Sequence, residues 1–131
     1  MNRAIAALLT TVLIMHLSGS ASAQVLKPAI KASWYSAKSL VKEGTRKAGE
    51  KQIMANGKEF NENAMTAACR LYPLGTKLLI TNLQNKKSVV VVVSDRIGKR
   101  FAKTRIDLTR AAFRKIAKLE QGIAPITVKV S

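Results

Sequence analysis

Apolar and polar positions change their rhythm several times along this chain, and each rhythm predicts an element. Ala32-Ser-Trp-Tyr-Ser36 is a short aromatic run that reads as an opening strand. Ala37 to Gln52 is rich in Lys, Glu and Gly and has no apolar period, so it reads as an exposed loop. Asn56-Gly57 signals a turn, and Thr66 to Cys69 reads as a short buried strand. Pro73-Leu-Gly75 marks the next turn, followed by a strand over Lys77 to Thr81 and a hairpin loop over Asn82 to Lys87. Ser88 to Ser94 then carries consecutive valines from Val89 to Val93. β-branched residues favour strands, and an apolar run without alternation predicts burial on both faces.

Downstream of Asp95 lies a basic loop, Arg96 to Lys103. Arg105-Ile-Asp-Leu108 leads into one helix predicted over Thr109 to Leu119, with Leu108, Ala112, Ile116 and Leu119 on one face and Gly122 as its stop. Ile126-Thr-Val-Lys-Val130 alternates apolar and polar, as a half-buried last strand does. The fold class is therefore mainly β: about six short strands and one short helix, which predict a small closed barrel.

The first residues obey a different rule. Arg3, the apolar stretch Ala4 to Met15 and the small-residue site Ala21-Ser-Ala23 form the three-part secretory pattern. The apolar run is shorter than a membrane span requires. We expect a signal peptide over residues 1–23, a leader over 24–31 and one domain over 32–131. On this reading the protein crosses the inner membrane, is periplasmic or extracellular, and keeps no stable membrane anchor after cleavage. The only histidine, His16, lies inside the signal, and Cys69 is the only cysteine. An internal disulfide and a Cys/His zinc site are thereby excluded, and neither metal nor cofactor is expected.

The net charge of +16 adds a partner class. A field of that sign concentrates polyanions. Inside a cell it would point to nucleic acid. Outside the inner membrane the polyanions are anionic cell-envelope polymers, and no nucleic acid partner is expected. A monomer is expected.

Several segments, taken in order, carry a resemblance: Trp34-Tyr35; Ala55-Asn-Gly57 with Phe60; Ala64-Met-Thr-Ala-Ala68; Leu71 with Pro73-Leu-Gly-Thr76; Thr81-Asn-Leu83 with Asn85; Ser88-Val-Val-Val91; Asp95-Arg96; and Arg105-Ile-Asp-Leu108 with Ala111-Ala112. The set resembles the double-psi β-barrel of the rare lipoprotein A family of septal lytic transglycosylases, itself distantly similar to expansins and barwin-like proteins. The resemblance runs from about Ala32 to Val130. It implies a six-stranded double-psi barrel that cleaves peptidoglycan glycan strands between N-acetylmuramic acid and N-acetylglucosamine, preferring strands stripped of stem peptides. A general acid protonates the glycosidic oxygen and the sugar's own 6-hydroxyl closes a 1,6-anhydro ring. One acid that later serves as base suffices, unlike the carboxylate pair of ordinary glycosidases.

Asp95, at the end of the valine strand, is the candidate acid, with Asp95-Arg96 as a structural turn or ion pair the competing reading. Asp107, just ahead of the helix, reads instead as an N-terminal cap. Where the family has Glu after Asn-Gly this chain has Lys58, and Glu59 is the other candidate catalytic residue. Strand neighbours face opposite ways, so Glu59 replaces the lost acid only in a reshaped loop. Cys69 stands where the family has His, either a small buried residue or a reactive thiol. Asn56, Lys58, Tyr35, Arg96 and Cys69 are the candidate substrate-binding residues. Three functions remain open: the enzyme, a non-catalytic expansin-like glycan-binding barrel, and a secreted protein that binds anionic surfaces through charge alone.

Overall fold

The computed structural model describes residues 30–42, 44 and 49–131. The expected signal peptide and most of the expected leader lie outside them. The strands are β1 (Ile30–Tyr35), β2 (Thr66–Ala68), β3 (Lys77–Asn82), β4 (Ser88–Asp95), β5 (Arg105–Thr109) and β6 (Ile123–Val130). Strand β1 thus starts two residues ahead of the expected domain boundary at 32. The helices are α1 (Ala37–Lys42) and α2 (Arg110–Ile116). The strands close in the order β1-β5-β2-β4-β3-β6. The β1–β5 and β2–β4 pairs are parallel and the other four antiparallel. This is the small closed β-barrel that the strand count predicts.

Alternation sorts side chains between two apolar clusters. The larger fills the barrel with Ala32, Ala67, Leu78, Ile80, Val89, Val91, Val93, Ile106 and Leu108. The smaller lies on the outer face and joins Tyr35, Ala68 and Ile97. Successive strand residues point oppositely, so Ala67 belongs to the first cluster and its neighbour Ala68 to the second. The valine strand corrects an expectation. Its burial alternates, and Val90 is 44% exposed. A barrel wall one strand thick hides only its inner face unless something covers the outer one.

Helix α2 is shorter than the predicted span. Thr109 caps it, its side chain accepting from the Ala112 N–H at 3.2 Å, and Ala117 leaves the helix in extended conformation. Asn82 and Asn85 of the β3–β4 hairpin both donate through Nδ2 to the Ile116 carbonyl, at 2.8 and 2.9 Å. These bonds satisfy a helix end whose carbonyls would otherwise lack partners. Leu119–Gln121 is a separate 3-10 turn, ended by Gly122 at φ 72°. Ala112, Phe113 and Ile116 are fully buried, and α2 packs on β1, β4 and β5. Phe113 falls outside the apolar stripe drawn from the sequence.

The stretch after β1 is not wholly a loop. Ser36 and Ser39 exchange bonds, Ser39 N–H to Ser36 Oγ at 3.2 Å and Ser36 N–H to Ser39 Oγ at 2.8 Å. This reciprocal serine cap starts α1 without any apolar period to announce it.

Candidate functional site

Strand register assembles the site. Ser33 on β1 lies opposite Asp107 on β5, Asp107 opposite Ala68 on β2, and Ala68 opposite Asp95 on β4. One row across four strands therefore carries two carboxylates with a methyl group between them. Two strand spacings set their Cα atoms about 9–10 Å apart. Both aspartates line a cavity of about 270 Å³ on the outer face, with Tyr35, Phe60, Met54 and Ile97 among its walls.

Asp95 is anchored at one oxygen. Its Oδ1 accepts from the Ala55 N–H at 3.0 Å and the Arg96 N–H at 2.9 Å. The first bond ties the Met54–Phe60 turn to the end of β4, as does Asn56 N–H to the Ser94 carbonyl at 3.2 Å. Oδ2 is left to serve the cavity. Arg96 turns the other way. Its Nη1 donates to the carbonyls of Cys69 at 2.6 Å and Tyr72 at 2.8 Å, so this guanidinium holds the β2–β3 connection in place. Asp95-Arg96 is thus not an ion pair that closes on itself: both residues line the cavity, and the guanidinium is bonded to the β2–β3 connection.

Asp107 corrects its sequence reading. It sits within β5, accepts from Ser33 Oγ at 3.1 Å and leaves the helix cap to Thr109. The remaining candidates separate. Tyr35 lines the cavity. Cys69 is 0% exposed and belongs to the barrel core, its sulfur accepting from the Leu71 N–H at 3.3 Å. Burial removes it from contact with any substrate. Asn56 is exposed, and its Oδ1 accepts from the Lys58 N–H at 3.0 Å, which closes the turn around Gly57. Lys58 is exposed and outside the cavity lining, and its carbonyl accepts from the Met54 N–H at 2.8 Å. Glu59 lines a neighbouring hollow with Asn61, Glu62 and Asn63, and not the one that holds Asp95.

Tyr35 is the most unusual group in the cavity. Its ring stacks on Phe60 with centroids 4.7 Å apart. The residue is 5% exposed, yet its hydroxyl finds no hydrogen-bond partner among the described residues. Burial first, and then the negative charges of Asp95 and Asp107, push this phenol well above its ordinary range, so it remains a neutral O–H donor. A buried hydroxyl without a partner costs about 1–3 kcal/mol. Tyr35→Phe should therefore hold or raise the thermal unfolding midpoint. Unfolding scans check this, and a fall in the midpoint would mean that the hydroxyl is structural.

A family model described as lytic transglycolase matches residues 27–128. An uncharacterised protein of Synechocystis is 44% identical over 75 residues, which cover 57% of this chain and 78% of that protein. The endolytic peptidoglycan transglycosylase RlpA of Pseudomonas aeruginosa is 40% identical over 98 residues, covering 75% of this chain and 26% of the relative. The chain thus spans about a quarter of that named transglycosylase. Among solved structures, a mutant expansin of Clavibacter michiganensis in complex with cellohexaose superposes with a TM-score of 0.57 at 20% identity, over 79% of this chain and 50% of the expansin. At that identity the likeness is one of fold.

Proposed function

The chain belongs to the lytic transglycolase family, and from that membership we propose that it cleaves naked peptidoglycan glycan strands from within, at the bond between N-acetylmuramic acid and N-acetylglucosamine. The observation that carries the proposal is the row Ser33–Asp107–Ala68–Asp95, which places two carboxylates on one wall of the cavity. Its site of action on this reading is the cell wall outside the inner membrane.

In the reaction Asp95 gives its proton to the glycosidic oxygen as the C1–O bond breaks. The muramoyl 6-hydroxyl attacks C1, and Asp95 takes back the hydroxyl proton as the anhydro ring closes. No water is consumed and the carboxyl ends as it began. Asp107, held by Ser33, supplies negative charge facing the positive charge that grows at C1. The Tyr35 ring, stacked on Phe60, forms an apolar wall beside the two carboxylates.

The test is incubation of purified protein with denuded strands, read by mass spectrometry. Products ending in 1,6-anhydro-N-acetylmuramic acid support the proposal, and intact strands refute it. The exposed, non-lining position of Lys58 favours a second reading, a barrel that holds the strand without cutting it. The turn bearing Lys58 is bonded to Asp95 through Ala55, so a carboxylate at this position would sit at the rim of the same site. Lys58→Glu should raise cleavage by about tenfold if a missing rim carboxylate limits the rate. An unchanged rate would show that position 58 does not limit it.

A further inference from the structure

The catalytic cavity has a neighbour. A second cavity of about 360 Å³ shares Ile97, Gly98 and Asp107 with the first and continues past them to Trp34, Phe101 and Arg105. The two form one groove with Asp107 at the junction. Arg105 is the one cation among the described residues that lines the second cavity, with Lys31 and Arg100 close outside it. Arg105 lies opposite Lys31 across the β1–β5 ladder, a pair of like charges on one sheet face. Such a pair is destabilising on its own. The Arg105 guanidinium packs over the Phe101 ring at 4.3 Å from its centroid, and Arg100 also packs on that ring at 4.5 Å. Among the described residues no carboxylate pairs with Lys31, Arg100 or Arg105. The ring holds Arg105 at a fixed orientation and leaves its N–H fork available to an anion. A planar fork suits a carboxylate, which it can meet with two parallel bonds.

Resting on the glycan reading, we propose that this end of the groove is a carboxylate subsite, in which Arg105 binds the free lactyl carboxylate of an N-acetylmuramoyl residue next to the scissile bond. Stem peptides are joined to the glycan through that carboxylate as an amide. A muramoyl residue therefore presents the anion only where its peptide has been removed. The subsite selects naked strands by charge.

Binding is measured with Asp95→Asn protein, so that strands stay intact, using denuded strands and the same strands with their lactyl carboxylates coupled to methylamine. Neutralised strands should bind about tenfold more weakly, the effect of one lost charge-assisted pair. In the Arg105→Gln background both forms should bind alike. Arg114→Gln, on the exposed side of α2 and outside both cavities, should keep the preference. Equal binding of the two forms by the parent overturns the proposal, as does a preference that survives Arg105→Gln or that Arg114→Gln abolishes. Strands that retain stem peptides should bind like the neutralised form. If they bind as tightly as denuded ones, the recognised carboxylate belongs to the peptide and the proposal fails. Failure of the cleavage reading looks different: no anhydro product from the unaltered protein, with the charge-dependent binding intact.

Discussion

Asp95→Asn is expected to reduce glycan cleavage by about 10²–10⁴-fold, the range for losing a positioned acid. The substitution isolates chemistry from architecture. An asparagine Oδ1 can still accept from the N–H groups of Ala55 and Arg96, so the turn over Met54–Phe60 stays joined to β4. The proton that the glycosidic oxygen needs is lost. Unfolding midpoint and strand binding should be close to those of the unaltered protein, and only anhydro products should vanish. Cleavage that persists would move the acid to Asp107, the other carboxylate in the cavity.

The second large effect concerns stability. Phe113→Ala should destabilise the protein by about 3–5 kcal/mol, as removal of a buried ring does. Phe113 is 0% exposed on α2, which packs against β1, β4 and β5, the strands that carry Tyr35, Asp95 and Asp107. Against a total stability of about 5–15 kcal/mol, such a loss leaves little margin. Urea unfolding with an unchanged slope would read it as a displaced midpoint. Phe113→Leu should recover most of the difference. A loss below about 1 kcal/mol would mean that the cavity left by the ring collapses, and that α2 does not depend on it.

Much of the barrel is legible in the chain because strands of a small barrel alternate and end at turn residues. Pro73-Leu-Gly75 and the Asn82 to Lys87 hairpin fall where the turns are, with Gly75 at φ 90° and Lys86 at φ 64°. The valine run misleads because residue type alone does not report which face lacks a cover. Helix α1 escapes because its start depends on a bond between Ser36 and Ser39 and on no apolar stripe. Asp107 escapes for a deeper reason. Two positions ahead of the predicted helix, an aspartate reads as a cap, and only register across β1, β5, β2 and β4 turns it toward Asp95. Phe60 is visible as part of the resemblance, but its stacking on Tyr35 needs the turn to fold back. The two departures from the family pattern resolve differently. Cys69 lies inside the core, and Lys58 lies outside the cavity on a turn bonded to the catalytic candidate.

The barrel closes by pairing β1 with β5 and β6, so Lys31 meets Arg105 and Ile30 meets Ile126. Such distant pairings are the slow kind, because the loss of loop freedom precedes any reward. A chain partway through synthesis has β1 but neither of its partners, and the wall holding Tyr35 has nothing to lie against. The Trp34 indole, which donates to the Leu119 carbonyl at 3.0 Å, likewise gains its partner only when the late part of the chain arrives. The groove therefore cannot form before β5 is made, and its formation is timed by that strand and not by the segment that carries Asp95.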